Sequence, residues 1–135
     1  MRYGNYFSKM RILFFILLLA CNQTAKGQFE THILNAFGKA DIQRIYAHFD
    51  KNVEICIGDE VEFYPKNIAK EVLNAFFKKV RPVKCTPLHK GESSDHSSKY
   101  IIGKLEAQKG TFRLFVFAIK KSGKQLIKEV RLEKF

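Results

Sequence analysis

Several residues in this chain have side chains that could do chemistry. Ser93, Ser94, Asp95, His96, Ser97 and Ser98 contain every residue type of a hydrolytic triad. Neighbours in sequence rarely converge on one reacting atom, and no Gly-x-Ser-x-Gly elbow is present, so the tract reads as a polar hairpin loop. Cys85 and His89 are types that ligate metals, but they lack the second close-spaced pair such a site needs, and no metal site is expected. Cys56 and Cys85 fall on expected strands. They form a disulfide if strand pairing brings their Cα atoms within about 7 Å, and otherwise serve as two small buried hydrophobes. His32 and His48 are scattered, with His48 at a helix end. Arg113 alternates with Phe115, Phe117 and Ile119, which places one cation at the end of an apolar row. With His89 and Tyr100 on adjacent strands, this row would give an apolar floor with a few polar groups at its rim, the usual build of a small-molecule site. The ligand-binding residues expected are therefore Arg113, His89 and Tyr100, for a small, partly apolar, anionic ligand held without covalent chemistry. The competing reading has Arg113 lay its stem on the core edge and its head in water. No catalytic residue and no cofactor motif stands out.

These residues need elements to position them. Phe29, Ile33, Leu34 and Phe37 have helical spacing, Gly38 supplies a stop, and Asp41 suits the N-cap of a second short helix striped by Ile42, Ile45, Tyr46 and Phe49. Val53 to Ile57 reads as a strand closed by Gly58 and Asp59. Pro65 opens the clearest helix, with Ile68, Ala69, Val72, Leu73, Phe76, Phe77 and Val80 on one face and Lys66, Lys70, Asn74 and Lys78 opposite; Arg81 and Pro82 end it. Strands follow over Lys84 to Lys90, Tyr100 to Ala107, Thr111 to Ile119 and Leu126 to Leu132. Lys109-Gly110 and Lys121-Ser122-Gly123-Lys124 form the turns. Thr111 to Ile119 is apolar on both faces, as a central strand should be. Helices first and an antiparallel meander after them give an α+β class.

The chain has 135 residues, 46% hydrophobic and 27% charged, within the globular range. Its 13 Phe and absence of Trp point to a core filled with phenyl rings. The net charge is +11. Residues 28–64 carry three basic and seven acidic side chains, and residues 65–135 carry seventeen and six. Such a basic half could suggest nucleic acid. No nucleic-acid motif accompanies it, so the expectation is a solvated surface, with anionic envelope material as the available counter-charge.

Arg2, Lys9 and Arg11 precede a nine-residue apolar run, Ile12 to Ala20. Spanning a membrane takes about twenty such residues. A positive flank, a short apolar run and a small-residue exit read as an export signal over residues 1–27, leaving a single domain over 28–135 in the periplasm or outside the cell. Cleavage after Ala25-Lys26-Gly27 would release a soluble domain. Leu18-Leu19-Ala20-Cys21 instead resembles a lipobox, in which Cys21 would be lipidated as an anchor.

YAHFDKNVEI from Tyr46, YPKNIAKEVLNAFFKK from Tyr64, HKGESSDHSSKYIIGKL from His89 and GTFRLFVFAIKK from Gly110 resemble a family of short exported bacterial proteins of Bacteroidetes type, the domain-of-unknown-function family numbered 4783. That family is similar to the nuclear transport factor 2-like (cystatin-like) superfamily. The resemblance implies N-terminal helices packed on a curved antiparallel sheet that forms a cone with a pocket. It brings no catalytic residues. His48 departs from the pattern, where the family usually has an aromatic.

Taken together, these readings predict an exported small-ligand-binding or accessory domain of the cell envelope, associating through its sheet if it dimerises. The alternatives are a pocket enzyme of isomerase or dehydratase type, which needs an acid or His inside the cone, and a protein-partner module, which a cone filled by Phe side chains would favour.

Overall fold

The computed structural model describes residues 27–135; the expected export signal, apart from Gly27, and with it Cys21, lies outside the described residues. Helix α1 (Gln28–Gly38) buries Ile33, Leu34, Ala36 and Phe37, the face its spacing predicts. Gly38 works differently from expectation. It is still helical, and the left-handed residue that turns the chain is Ala40 (φ 52°). A Cβ at Gly38 would sit 2.7 Å from the Cys85 amide nitrogen and 3.1 Å from the Lys84 Cα, so glycine is required there by the close approach of α1 to the sheet. Helix α2 (Ile42–Tyr46) is capped by Asp41, whose carboxylate accepts the Arg44 N–H at 3.3 Å.

Phe49 belongs to strand β1 (Phe49–Ile57) and not to the α2 stripe. The sheet already holds the backbone there, because the Ile127 N–H donates to the His48 carbonyl at 2.6 Å. Gly58 (φ 61°) turns β1 into β2 (Glu60–Pro65), a strand absent from the sequence reading. Helix α3 (Lys66–Val80) begins after Pro65 and ends where Arg81 turns left-handed (φ 55°) before Pro82. Strands β3 (Pro82–Glu92), β4 (Ser98–Ala107), β5 (Gly110–Lys121) and β6 (Lys124–Lys134) form the expected meander, each a few residues longer than predicted.

The sheet order is β2-β1-β6-β5-β4-β3. Strand β6 therefore does not close the sheet: β1 pairs with it in parallel, and β2 extends the edge. Register shifts at Pro82/Lys84, Pro87/His89 and Phe117/Ala118 mark bulges, which bend a sheet. The result is a curved six-stranded sheet with the helices on one side, an α+β architecture.

Leu105, Phe112, Leu114, Val116, Val130 and Leu132 turn toward the helices. They meet Ile33, Phe37, Leu73, Phe76 and Phe77, and the phenyl rings interlock edge to face, with Phe37 to Phe77 at 5.7 Å and Phe76 to Phe112 at 5.1 Å. The centre of the space under the sheet is thus filled with side chains. Among the described residues the one charged group in the buried set is Asp50, 8% exposed, which is paired with Lys128 at 3.0 Å.

Candidate functional site on the outer face of the sheet

Alternation along β5 decides which face carries the expected site. Phe112, Leu114, Val116 and Ala118 are buried beneath the helices. Arg113, Phe115, Phe117 and Ile119 therefore point the other way, onto the face no helix covers. The row expected to give the floor of a ligand site thus lies outside the space between sheet and helices. A strand apolar on both faces fits either assignment, and the helices took the other one.

The register assembles that outer face. His89 pairs with Ile102, Ile102 with Phe115, Phe115 with Arg131 and Arg131 with Cys56, so these side chains form one row across five strands. The next row runs Gly91, Tyr100, Phe117 and Glu129. On the other side, Lys104, Arg113 and Glu133 are direct cross-strand partners. The Tyr100 ring stacks on Phe115 at 5.9 Å with planes 22° apart, and His89 lies 5.6 Å from Tyr100. Gly91 makes this possible. A Cβ there would run into the Tyr100 ring, so the tyrosine lies flat across the bare backbone of its neighbour.

His89 and Tyr100 are thus brought together, while Arg113 joins a different group. A recess of about 430 Å³ is lined by Arg113, Phe115, Glu129, Arg131 and Glu133, and Phe115 is shared between it and the Tyr100 stack. Arg131 is already neutralised. Its Nε donates to Glu129, its Nη2 lies 3.6 Å from Glu54, and the Glu129 hydrogen bond first and charge second push its pKa up. Arg113 is in no ion pair among the described residues. Sequence reasoning missed Glu129, Arg131 and Glu133, although their period of two along β6 is the pattern of a strand face. Val61 and Phe63 on β2 continue the same face, 54% and 71% exposed.

The remaining chemical candidates separate. Cys56 sits in the outer row beneath Arg131, and its thiol donates to the Gly58 carbonyl at 3.4 Å. Cys85 faces inward against Gly103, and burial pushes its thiol up to about 12. Strands β1 and β3 are four places apart in the sheet, about 19 Å at the usual spacing, so the two cysteines do not pair with each other, and both are free among the described residues. Cys85 and His89 lie on opposite faces and cannot share a metal. In the loop between β3 and β4, Asp95 accepts the hydroxyls of Ser93 and Ser97 at 2.7 Å each and the Ser97 N–H at 3.0 Å. These hydrogen bonds hold its carboxyl down at about 2, while His96 turns to Glu92 at 3.2 Å. That is a turn device with no triad geometry. His32 and His48 meet edge to face at 5.5 Å, in a second recess beside Phe29 and Gln125. Burial above all, and then His32, lowers the His48 pKa against a hydrogen bond with the Gln125 carbonyl.

A profile of the family described as "Domain of unknown function (DUF4783)" matches residues 30–133. Among solved structures, the chain is similar to a DUF4783 family protein from Bacteroides uniformis, 24% identical with a TM-score of 0.73, over 78% of this chain and 95% of that one. It is similar to another from Bacteroides fragilis, 27% identical with a TM-score of 0.72, over 77% and 96%. An NTF2-like protein from Cytophaga hutchinsonii shares the fold, with a TM-score of 0.59 at 13% identity over 78% and 92%. No curated protein matches the chain.

Proposed function

The chain belongs to the DUF4783 family of domains of unknown function, and from that premise we propose that it is an exported binding module that engages a protein partner through the outer face of its sheet. One observation carries the reading. The interior is packed with interlocking phenyl rings, while Tyr100, Ile102, Phe115 and Phe117, edged by Arg113 and His89, stand on the side no helix covers. Tyr, Phe and Arg are the residues that protein interfaces concentrate, and charged groups around an aromatic centre are how such interfaces exclude water. A pocket enzyme would need an acid or histidine with a shifted pKa inside the cone. On the helix side of the sheet the acids with shifted pKa values, Asp50 and Glu30, are each held by a lysine, Lys128 and Lys99, and both shifts run downward, away from the neutral range a proton-transfer group needs.

Photo-crosslinking in the native cell envelope tests this reading. A benzoylphenylalanine at position 117 should give one discrete adduct, and the same probe at Lys78 on the exposed side of α3 should give none. An adduct of twice the chain mass would identify the partner as a second copy. No adduct from position 117, or equal adducts from both positions, refutes the reading. Export is tested in the same preparation: the mature mass should begin near Gln28, and a diacylated Cys21 would replace the released domain by a lipid-anchored one.

A second reading rests on the unpaired cation. Arg113, which lines the outer recess together with Phe115, offers a hold for a small amphipathic anion. A thermal-shift screen with such anions should then find compounds whose effect disappears in Arg113→Ala without a change in the unliganded melting temperature. If Arg113→Ala mainly lowers that temperature, the arginine is structural.

A further inference from the structure

On the helix side of the sheet, α1 does not seal completely onto β3. A recess of about 570 Å³ lies between them, within the ordinary range of small-molecule sites. Leu34 and Ile101 form its floor and Leu88 its wall; Glu30, Thr31 and Lys90 supply polar groups. The bulge between Pro87 and His89 lies on the strand that borders the recess.

Glu30 is the unusual member. One carboxylate oxygen accepts from Lys99 Nζ at 3.1 Å, and both side chains are largely buried, at 14% exposure each. The other oxygen, Oε2, is buried with no donor. Burial works against its charge. Hydrogen bonds from its own backbone and from Lys99, together with the nearby Lys90, more than offset that and hold the carboxyl below its usual range. A buried, ionised oxygen without a donor is costly and calls for a partner.

We propose that this recess binds a small zwitterion with an apolar body, an apolar amino acid or short peptide, whose ammonium draws the Glu30 carboxylate round to accept it at Oε2, an oxygen covered until that turn, and whose carboxylate meets Lys90. The local charges select this class. A purely cationic ligand would face Lys90 and Lys99, and a purely anionic one would meet Glu30 and leave Oε2 without a donor. Leu34, Leu88 and Ile101 take the apolar body.

This recess meets the outer-face site only at His89, which borders both, and the proposal stands or falls without the outer-face reading. The test is a nuclear magnetic resonance titration of the purified protein with leucyl-leucine, N-acetyl-leucine and leucinamide, the last two each lacking one charge. Leucyl-leucine should move the amides of Thr31, Asn35, Leu88 and Lys90 saturably, with the other two at least about tenfold weaker. Lys90→Met, an exposed change away from the core, should weaken leucyl-leucine about tenfold and leave leucinamide no weaker, since it removes one of the cations that repel it. Arg113→Ala should alter none of these. No saturable shift, equal affinity for the three probes, or indifference to Lys90→Met overturns the proposal.

Discussion

Replacing Gly38 by alanine separates two opposite expectations. On a helix considered alone, Gly38→Ala should stabilise by about 1 kcal/mol, because alanine is the better helix former and narrows the unfolded ensemble. The structure predicts a loss. The new methyl would lie 2.7 Å from the Cys85 nitrogen and 3.1 Å from both the Lys84 carbonyl carbon and its Cα, all backbone atoms that cannot rotate away. Restoring an ordinary contact of 3.4 Å requires α1 to retreat by about 0.7 Å from β3. A gap of that size forfeits a quarter to a half of each dispersion contact across it. Leu34, packed against Gly103, and Phe37, against Phe77, would both lose contact. Overpacking of this kind costs about 3 kcal/mol at the upper end of its usual range, leaving a net loss of about 2 kcal/mol once the helix gain is subtracted. For a domain of this size that is a fall of roughly 8 °C or more in Tm. Urea unfolding followed by circular dichroism should show a lower midpoint at unchanged slope. Gly58→Ala is the control, since nothing lies within 4 Å of its added methyl and only the left-handed backbone (φ +61°) is strained. If Gly38→Ala is neutral or stabilising, the close approach of α1 to β3 is wrong.

Phe76→Ala should cost about 3–5 kcal/mol, because the ring is buried against Phe77 and Phe112; a loss under about 1 kcal/mol in the same urea assay would mean that α3 turns another face inward. His48, whose pKa is lowered from 6.5, takes up protons more readily unfolded than folded. The stability it contributes is therefore complete above about pH 6.5 and is lost as pH falls through its lowered folded value. Melting temperatures measured between pH 7.5 and 5 should decline for the wild type and decline less for His48→Phe; identical slopes would refute this, and the ion-paired carboxylates of Glu30 and Asp50, both lowered, titrate below that window.

Several elements were legible because their signals are local. Spacing at three and four residues gave the buried faces of α1 and α3, Pro65 and the Arg81-Pro82 pair gave the limits of α3, and the Lys109-Gly110 and Ser122-Gly123 turns gave the meander. Asp41 as a cap was legible for the same reason. Strand β2 was not. Glu60 to Pro65 is short, exposed and acidic, and it becomes a strand only because β1 offers it a free edge. Phe49 was misplaced because its helical spacing from Ile45 competes with a backbone bond to β6, a partner far along the chain.

The candidate site divides in the same way. The sequence by itself determined that Arg113, Phe115 and Phe117 share a face, since alternation along an extended chain needs no partner. It also determined that the chain carries enough phenylalanine to fill its own interior. Which face of β5 the helices would cover was decided only by tertiary structure, because both faces are apolar enough to be buried. The same packing set the register that stacks Tyr100 on Phe115, paired Arg131 with Glu54 and Glu129, left Arg113 in no ion pair among the described residues, and carried Cys56 and Cys85 to distant strands. Periodicity shows that a strand has two sides. The choice of the side that meets the helices depends on the fit of Phe37, Phe76 and Phe77 against Phe112 and Leu114, contacts between residues far apart in the chain.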